Sequence, residues 1–107
     1  MLMRLADQNC IPRRGDAHRI AAKDAQALLS EIPAWTASDA LLTRTFSFAD
    51  FHATMAFVNR VADIAHAQDH HPDMAVSYNR CTVSWNTHDV GGLSLNDFIC
   101  AAKVDAL

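Results

Sequence analysis

The sequence predicts an α+β domain, a four-stranded antiparallel sheet with helices packed on one face, in the order α-β-β-α-β-β-α. Two observations carry this. Apolar residues recur at helical spacing in three separate segments. Between those segments lie pairs of short stretches in which β-branched and aromatic residues alternate with polar ones. An antiparallel sheet backed by helices is the layered arrangement that buries both kinds of apolar surface in that order.

Each element has its own signal. Residues 1–19 contain Pro12, Gly15 and several charges without clean periodicity, and read as a loose N-terminal arm before a single domain at 20–107. Ala25, Leu28, Leu29 and Ile32 form an apolar stripe, which predicts a helix over 20–32 ended by Pro33. Two short strands follow at 34–36 and 41–46, linked through Ser38-Asp39. Ser47 with Asp50 three positions on reads as a helix start. Phe51, Met55, Val58, Ala62 and Ala65 then recur at about 3.6 residues, giving a helix over 48–68. After Pro72, Met74, Val76 and Tyr78 alternate, Asn79-Arg80 turns the chain, and Cys81, Val83 and Trp85 alternate back, a β-hairpin. Ser94 and Asp97 form a second capping signature, opening a last helix with Leu95, Phe98, Ile99, Ala102 and Leu107 inward.

Composition narrows the function classes. The chain has 107 residues, half of them apolar, and a formal charge of −3. That fits one globular domain with a modest core, for which oligomerisation would add buried area. The acidic balance disfavours direct nucleic-acid binding, which needs a basic face. Three cysteines, Cys10, Cys81 and Cys100, lie far apart with no CxxC pair. They read as buried small hydrophobes in a reducing compartment. No apolar run suits a signal segment or a membrane span, so a cytoplasmic location is expected.

The chemistry centres on histidine. Four of the six histidines fall between His66 and His88. His66 and His70 are four apart and would share one face of a helix. A hairpin returns the chain toward its start, so His70 and His71 at its entry and His88 at its exit are expected to meet. Clustered imidazoles suit general acid–base work near neutral pH, with Asp69, Asp89 and Asp97 available to orient them. His18 and His52 read as ordinary surface or core residues, Trp35 and Trp85 as core, and Gly91-Gly92 as a turn. A metal site is the rival reading: His66 and His70, with His71 or His88 and one aspartate, could bind zinc or nickel. Against it, adjacent His70 and His71 rarely point the same way, and no HExxH glutamate or cysteine lies at ligand spacing.

One spacing pattern is specific. The run His66-x3-His70-His71-Pro72, then Tyr78, Thr87-His88-Asp89, Gly92-Leu93 and Asp97 resembles the pterin-4a-carbinolamine dehydratase family. The resemblance covers about 22–106. It implies dehydration of 4a-hydroxytetrahydropterins such as 4a-hydroxytetrahydrobiopterin, formed by aromatic amino-acid hydroxylases, to the quinonoid dihydropterin. It implies no cofactor and no metal, and a homodimer or homotetramer without membrane or direct nucleic-acid partners. By that similarity His70, His71 and His88 are catalytic. Asp69-His70-His71 and Asn86-Thr87-His88 contact substrate, and Asp97 and His66 support the site. His66 stands where the family usually has glutamate, and Met74 where an aromatic is common. The alternative role that the resemblance implies is a non-enzymatic dimerisation cofactor of a transcriptional activator.

Overall fold

The computed structural model describes residues 3–38 and 40–107, so Met1, Leu2 and the Asp39 half of the Ser38-Asp39 link lie outside the described residues. The observed order is α1 (Ala22–Leu29), β1 (Thr36–Ala37), β2 (Leu42–Ser47), α2 (Phe51–Gln68), β3 (Asp73–Val76), β4 (Arg80–Trp85) and α3 (Leu95–Asp105). The sheet is antiparallel throughout and runs β1-β2-β4-β3. The expected fold class holds.

Register sorts the side chains. Leu42 faces Trp85, Phe46 faces Cys81, and Met74 faces Val83. These share one face, and Leu42, Cys81, Val83 and Trp85 are fully buried there. The opposite face carries Thr43 bonded to Ser84 at 2.7 Å and Thr45 bonded to Thr82 at 2.8 Å. Hydroxyl pairs across strands suit a surface that no helix covers, because each polar group also remains accessible to water. The helices therefore lie on the apolar side, where Val61 and Ala65 of α2 and Phe98, Ile99 and Val104 of α3 complete the core. Burying such side chains stabilises the fold by about 1.5–3 kcal/mol each.

Element boundaries differ from the sequence expectation where hydrogen bonds decide them. The central helix starts at Phe51, not at 48, because Asp50 is fully extended (φ −157°, ψ 179°), while the Phe48 amide pairs with the Asn79 carbonyl at 2.8 Å. Asp50 is its N-cap, accepting the Ala53 amide at 2.8 Å, and Ser47 ends β2 instead. Tyr78 belongs to the hairpin turn and is exposed. Helix α1 is shorter than its apolar stripe, yet Ala25 and Ile32 are buried as that stripe predicts. Leu107, expected inward, is exposed beyond the end of α3.

The largest departure is the N-terminal segment. Residues 3–19 do not hang loose. Leu5 is buried within a short 3-10 turn, its amide donates to Glu31 Oε1 at 3.1 Å, and Lys103 Nζ donates to the Ala6 carbonyl at 2.8 Å. The reason lies in α3, which is apolar on nearly every side from Phe98 to Val104. A helix of that kind must be covered all round. The sheet and α2 cover one side, and the arm covers another.

Candidate active site

The site begins where α2 ends. The helix stops at Gln68, and Asp69 takes the left-handed conformation (φ 50°, ψ 44°) as C-cap. Aspartate tolerates that region better than most residues. The turn throws His70 off the helix, so His66 and His70 do not share a helical face as their spacing suggested. His66 stays exposed on α2.

His70 is instead built into the core's edge. Its ring stacks on Trp85, with centroids 5.5 Å apart and planes 10° from parallel. Its Nε2 donates to Asp97 Oδ1 at 2.6 Å, and only 13% of the side chain is exposed. Among the described residues its Nδ1 has no hydrogen-bond partner. Asp97 is fully buried. Its second oxygen, Oδ2, accepts the Ser94 amide at 2.9 Å and the Thr87 hydroxyl at 2.7 Å.

Proton bookkeeping fixes the direction of this network. Thr87 has one hydroxyl proton and gives it to Asp97, so the 2.7 Å contact between Thr87 and Ser94 must have Ser94 donating. Ser94 Oγ then accepts the Asn96 amide, as an N-cap should. The capping box read from the sequence is present. Asp97 thus closes the first turn of α3 and orients His70 with the same carboxylate. Charge-assisted bonds of this kind are short and strong, and a buried carboxylate needs them.

The imidazole responds to this setting. Burial opposes its protonation, but the hydrogen bond and negative charge of Asp97, with smaller help from Cys10 and Asp69, outweigh burial and raise the pKa above the ordinary histidine value.

His70 opens onto a polar cleft of about 290 Å³, shared with Asp69, Thr87, Asp89, Arg13 and Arg14. His71 and His88 are exposed at the two ends of the hairpin, at the entry to β3 and in the 3-10 turn His88–Val90. Neither they, Asn86 nor His66 line that cleft. Sequence reasoning missed the arm's contribution, and it read Ser94 as a cap only and Trp85 as core only. Trp85 is core, fully buried, and also the platform under His70. The alternation in β4 placed it inward, but nothing local says that a histidine 15 residues earlier lies against it. Among the described residues, no three His, Cys, Asp or Glu side chains converge as a metal site would need, and no helix is long and apolar enough to cross a membrane.

A helix exit, a hairpin exit and a helix start converge on one histidine–aspartate pair in an α+β domain, an arrangement with the groups that acid–base chemistry needs. Comparison with known proteins gives it a family. Residues 18–107 match the family model for pterin 4 alpha carbinolamine dehydratase. A Stenotrophomonas maltophilia (strain K279a) protein assigned to that dehydratase is 54% identical, across 99% of this chain and 93% of its own length. A relative from Xanthomonas campestris pv. campestris (strain 8004), with the same assignment, is 51% identical over 99% and 92%. A Brucella melitensis crystal structure, described as a transcriptional coactivator/pterin dehydratase, superposes with a TM-score of 0.78 at 31% identity, covering 82% of this chain and 96% of that one. The chain belongs to the pterin-4-alpha-carbinolamine dehydratase family.

Proposed function

We propose that the protein eliminates water from a 4a-hydroxytetrahydropterin, giving the quinonoid dihydropterin, as a hydro-lyase serving tetrahydropterin recycling. The observation that carries this reading is the His70–Asp97 pair on its Trp85 platform, beside a cleft walled by Thr87 and Asp89. The family membership and the identical assignment of relatives more than 50% identical support it.

In the substrate, the hydroxyl sits on a carbon bonded to N5. The N5 lone pair can form the C=N bond as the C–O bond breaks, provided that the oxygen leaves as water and N5 then loses its proton. His70 suits the first task. Its Nε2–H is committed to Asp97, its Nδ1 is available, and its raised pKa keeps a proton on the ring further up the pH scale. His88 is the partner acid–base group at the hydroxyl, and His71 holds the pterin and assists at N5. Asp69, Asn86 and Thr87 contact the substrate. Positioned imidazoles contribute about 10²–10⁴-fold each. In this reading the site works without metal or organic cofactor, in a cytoplasmic homodimer or homotetramer.

Stopped-flow decay of a freshly generated 4a-hydroxytetrahydropterin tests it. Acceleration that survives EDTA and disappears in His88→Ala supports the reading. Acceleration abolished by EDTA would point to metal instead. No acceleration by folded protein would favour the second reading, a binding module like the coactivator that the Brucella neighbour is also described as.

A further inference from the structure

Residues 10–15 cross the mouth of the site and are fixed at both ends. At one end the Cys10 amide donates to Gln68 Oε1 at 2.7 Å. Beside it Asn96 grips Ile11 twice, accepting its amide on Oδ1 at 3.3 Å and donating from Nδ2 to its carbonyl at 2.7 Å. At the other end the Gly15 amide donates to the Asp89 carbonyl at 2.9 Å. Gly15 has φ 85°, a conformation L side chains rarely adopt. Between these anchors, Arg13 and Arg14 form part of the wall of the cleft that contains His70. This segment lies outside the stretch that the family model matches, which begins at residue 18.

The two arginines are unspent. Arg13 Nε donates to Asn96 Oδ1 at 3.0 Å, which fixes the guanidinium and leaves its two terminal nitrogens free of hydrogen bonds among the described residues. Arg14 makes no side-chain hydrogen bond there. Among the described residues neither is ion-paired within 4.0 Å, although Asp69 and Asp89 line the same cleft. Two unpaired guanidinium groups on an anchored strap, beside a histidine site, call for an anionic oxygen ligand. Planar guanidinium forks bind phosphate or carboxylate in a bidentate manner, and a strap already ordered loses little entropy on doing so. The carboxylates of Asp69 and Asp89 remain for the N–H donors of a pterin ring.

We propose that Arg13 and Arg14 are specificity-determining residues that bind an anionic group, phosphate or carboxylate, on the side chain of the pterin substrate. The inference rests on the dehydratase reading and refines its substrate class. A neutral polyol tail would leave both guanidinium groups unpaired in the complex. An anionic tail would pair them.

The test measures kcat/KM of the intact protein on 4a-hydroxytetrahydropterins with a polyol tail, with the phosphate monoester of that tail, and with a carboxylate-bearing tail. At low ionic strength an anionic tail is preferred by about tenfold or more, and the preference shrinks as salt screens the pair. A preference for either anion alone supports the proposal and identifies which one the strap takes. Arg14→Gln weakens the preference and Arg13→Gln/Arg14→Gln abolishes it, through KM more than kcat, while Arg13→Lys retains part of it. Equal kcat/KM for all tails in the natural protein overturns the inference. So does a double variant that loses the same factor on every tail, because the arginines would then only hold the strap in place. Arg14→Gln breaks no observed hydrogen bond, so it reads specificity even if Arg13→Gln disturbs folding. If no tail is dehydrated at all, the dehydratase reading fails separately. Fluorescence titration with 7,8-dihydropterins bearing the same tails then decides the arginine inference: about tenfold tighter binding of an anionic tail upholds it, and equal binding overturns it.

Discussion

His70 and His88 belong to one proposed reaction but live in opposite surroundings. His70 is almost enclosed, stacked on Trp85 and bonded to a carboxylate that is itself held by Thr87 and the Ser94 amide. His88 stands exposed in a three-residue 3-10 turn and makes no side-chain hydrogen bond among the described residues. One histidine is preorganised by the fold, and its orientation is part of folding stability. The other is carried, exposed, on a short turn, and in the proposed reaction only substrate would engage it. Removing each should therefore cost activity alike and stability very differently.

Asp97 marks the extreme of the preorganised side. Asp97→Ala leaves His70, Thr87 and the Ser94 amide without their acceptor inside the protein. Losing one partner from a buried charged network costs about 3–5 kcal/mol, and urea unfolding should show a loss of that size. Asp97→Asn keeps the shape and one acceptor oxygen, which can still serve Thr87 and the Ser94 amide, but puts an NH2 donor opposite His70 and removes the charge. It should unfold less easily than Asp97→Ala, yet still lose about 10²-fold in kcat through misoriented His70. If Asp97→Ala is nearly as stable as the natural protein, the two histidines do not differ as described.

The direct comparison comes next. His70→Ala and His88→Ala should each lower kcat by about 10²–10⁴-fold. His70→Ala should also lower stability by about 1–3 kcal/mol, because it strands Asp97 Oδ1 and uncovers Trp85. His88→Ala should leave stability within about 0.5 kcal/mol, as exposed substitutions do. His71→Ala should raise KM more than it lowers kcat. Equal destabilisation by His70→Ala and His88→Ala would erase the distinction.

Titration sharpens it further. In a proton NMR titration, His70 should gain its proton at a higher pH than an ordinary histidine, and Asp97→Asn should remove that upward shift. The sign of the linked stability follows. A pKa raised by folding contributes stability that is fully present below the unfolded value, about 6.5, and is lost as pH rises through the folded value. Stability should therefore decline from about pH 6.5 upward in the natural protein, and this decline should be missing in Asp97→Asn.

The same contrast explains how much was legible beforehand. The fold class followed from periodicity, since the apolar residues of β2, β4 and α3 mark their buried faces directly; on α2 the period was right but the face was not, because Phe51 of the expected stripe is exposed and Thr54, Val61 and Ala65 are the buried residues. Ser94-x-x-Asp97 announced a capping box by spacing alone, and it is there. What spacing could not show is that the capping carboxylate has another oxygen to give, because the donor arrives from 27 residues away. The i, i+4 argument for His66 and His70 failed because Asp69 leaves helical φ, and a single left-handed residue is invisible to periodicity. The arm failed for a related reason. Leu5 is one apolar residue without a repeat, and the need for it arises on α3, nearly a hundred residues further along.

The smallest effect concerns that arm where it meets α3. Cys10 Sγ lies 3.5 Å from Cys100 Sγ. The Cys100 hydrogen bond, opposed by burial and aided by the nearby His70, lowers the Cys10 pKa. The same contact, with burial, raises that of Cys100, and burial alone raises that of Cys81. The thiolate is the reactive form, so iodoacetamide at neutral pH should label Cys10 before Cys81 and Cys100, with the order read by peptide mass mapping. Because Cys10 also lines the cleft beside His70, labelling should reach the exposed side of the network without unfolding it. Bound pterin should slow the labelling severalfold. Preferential labelling of Cys100 would instead mean that the arm opens readily from α3, and that the arm's side of the cleft is less preorganised than His70 and Asp97.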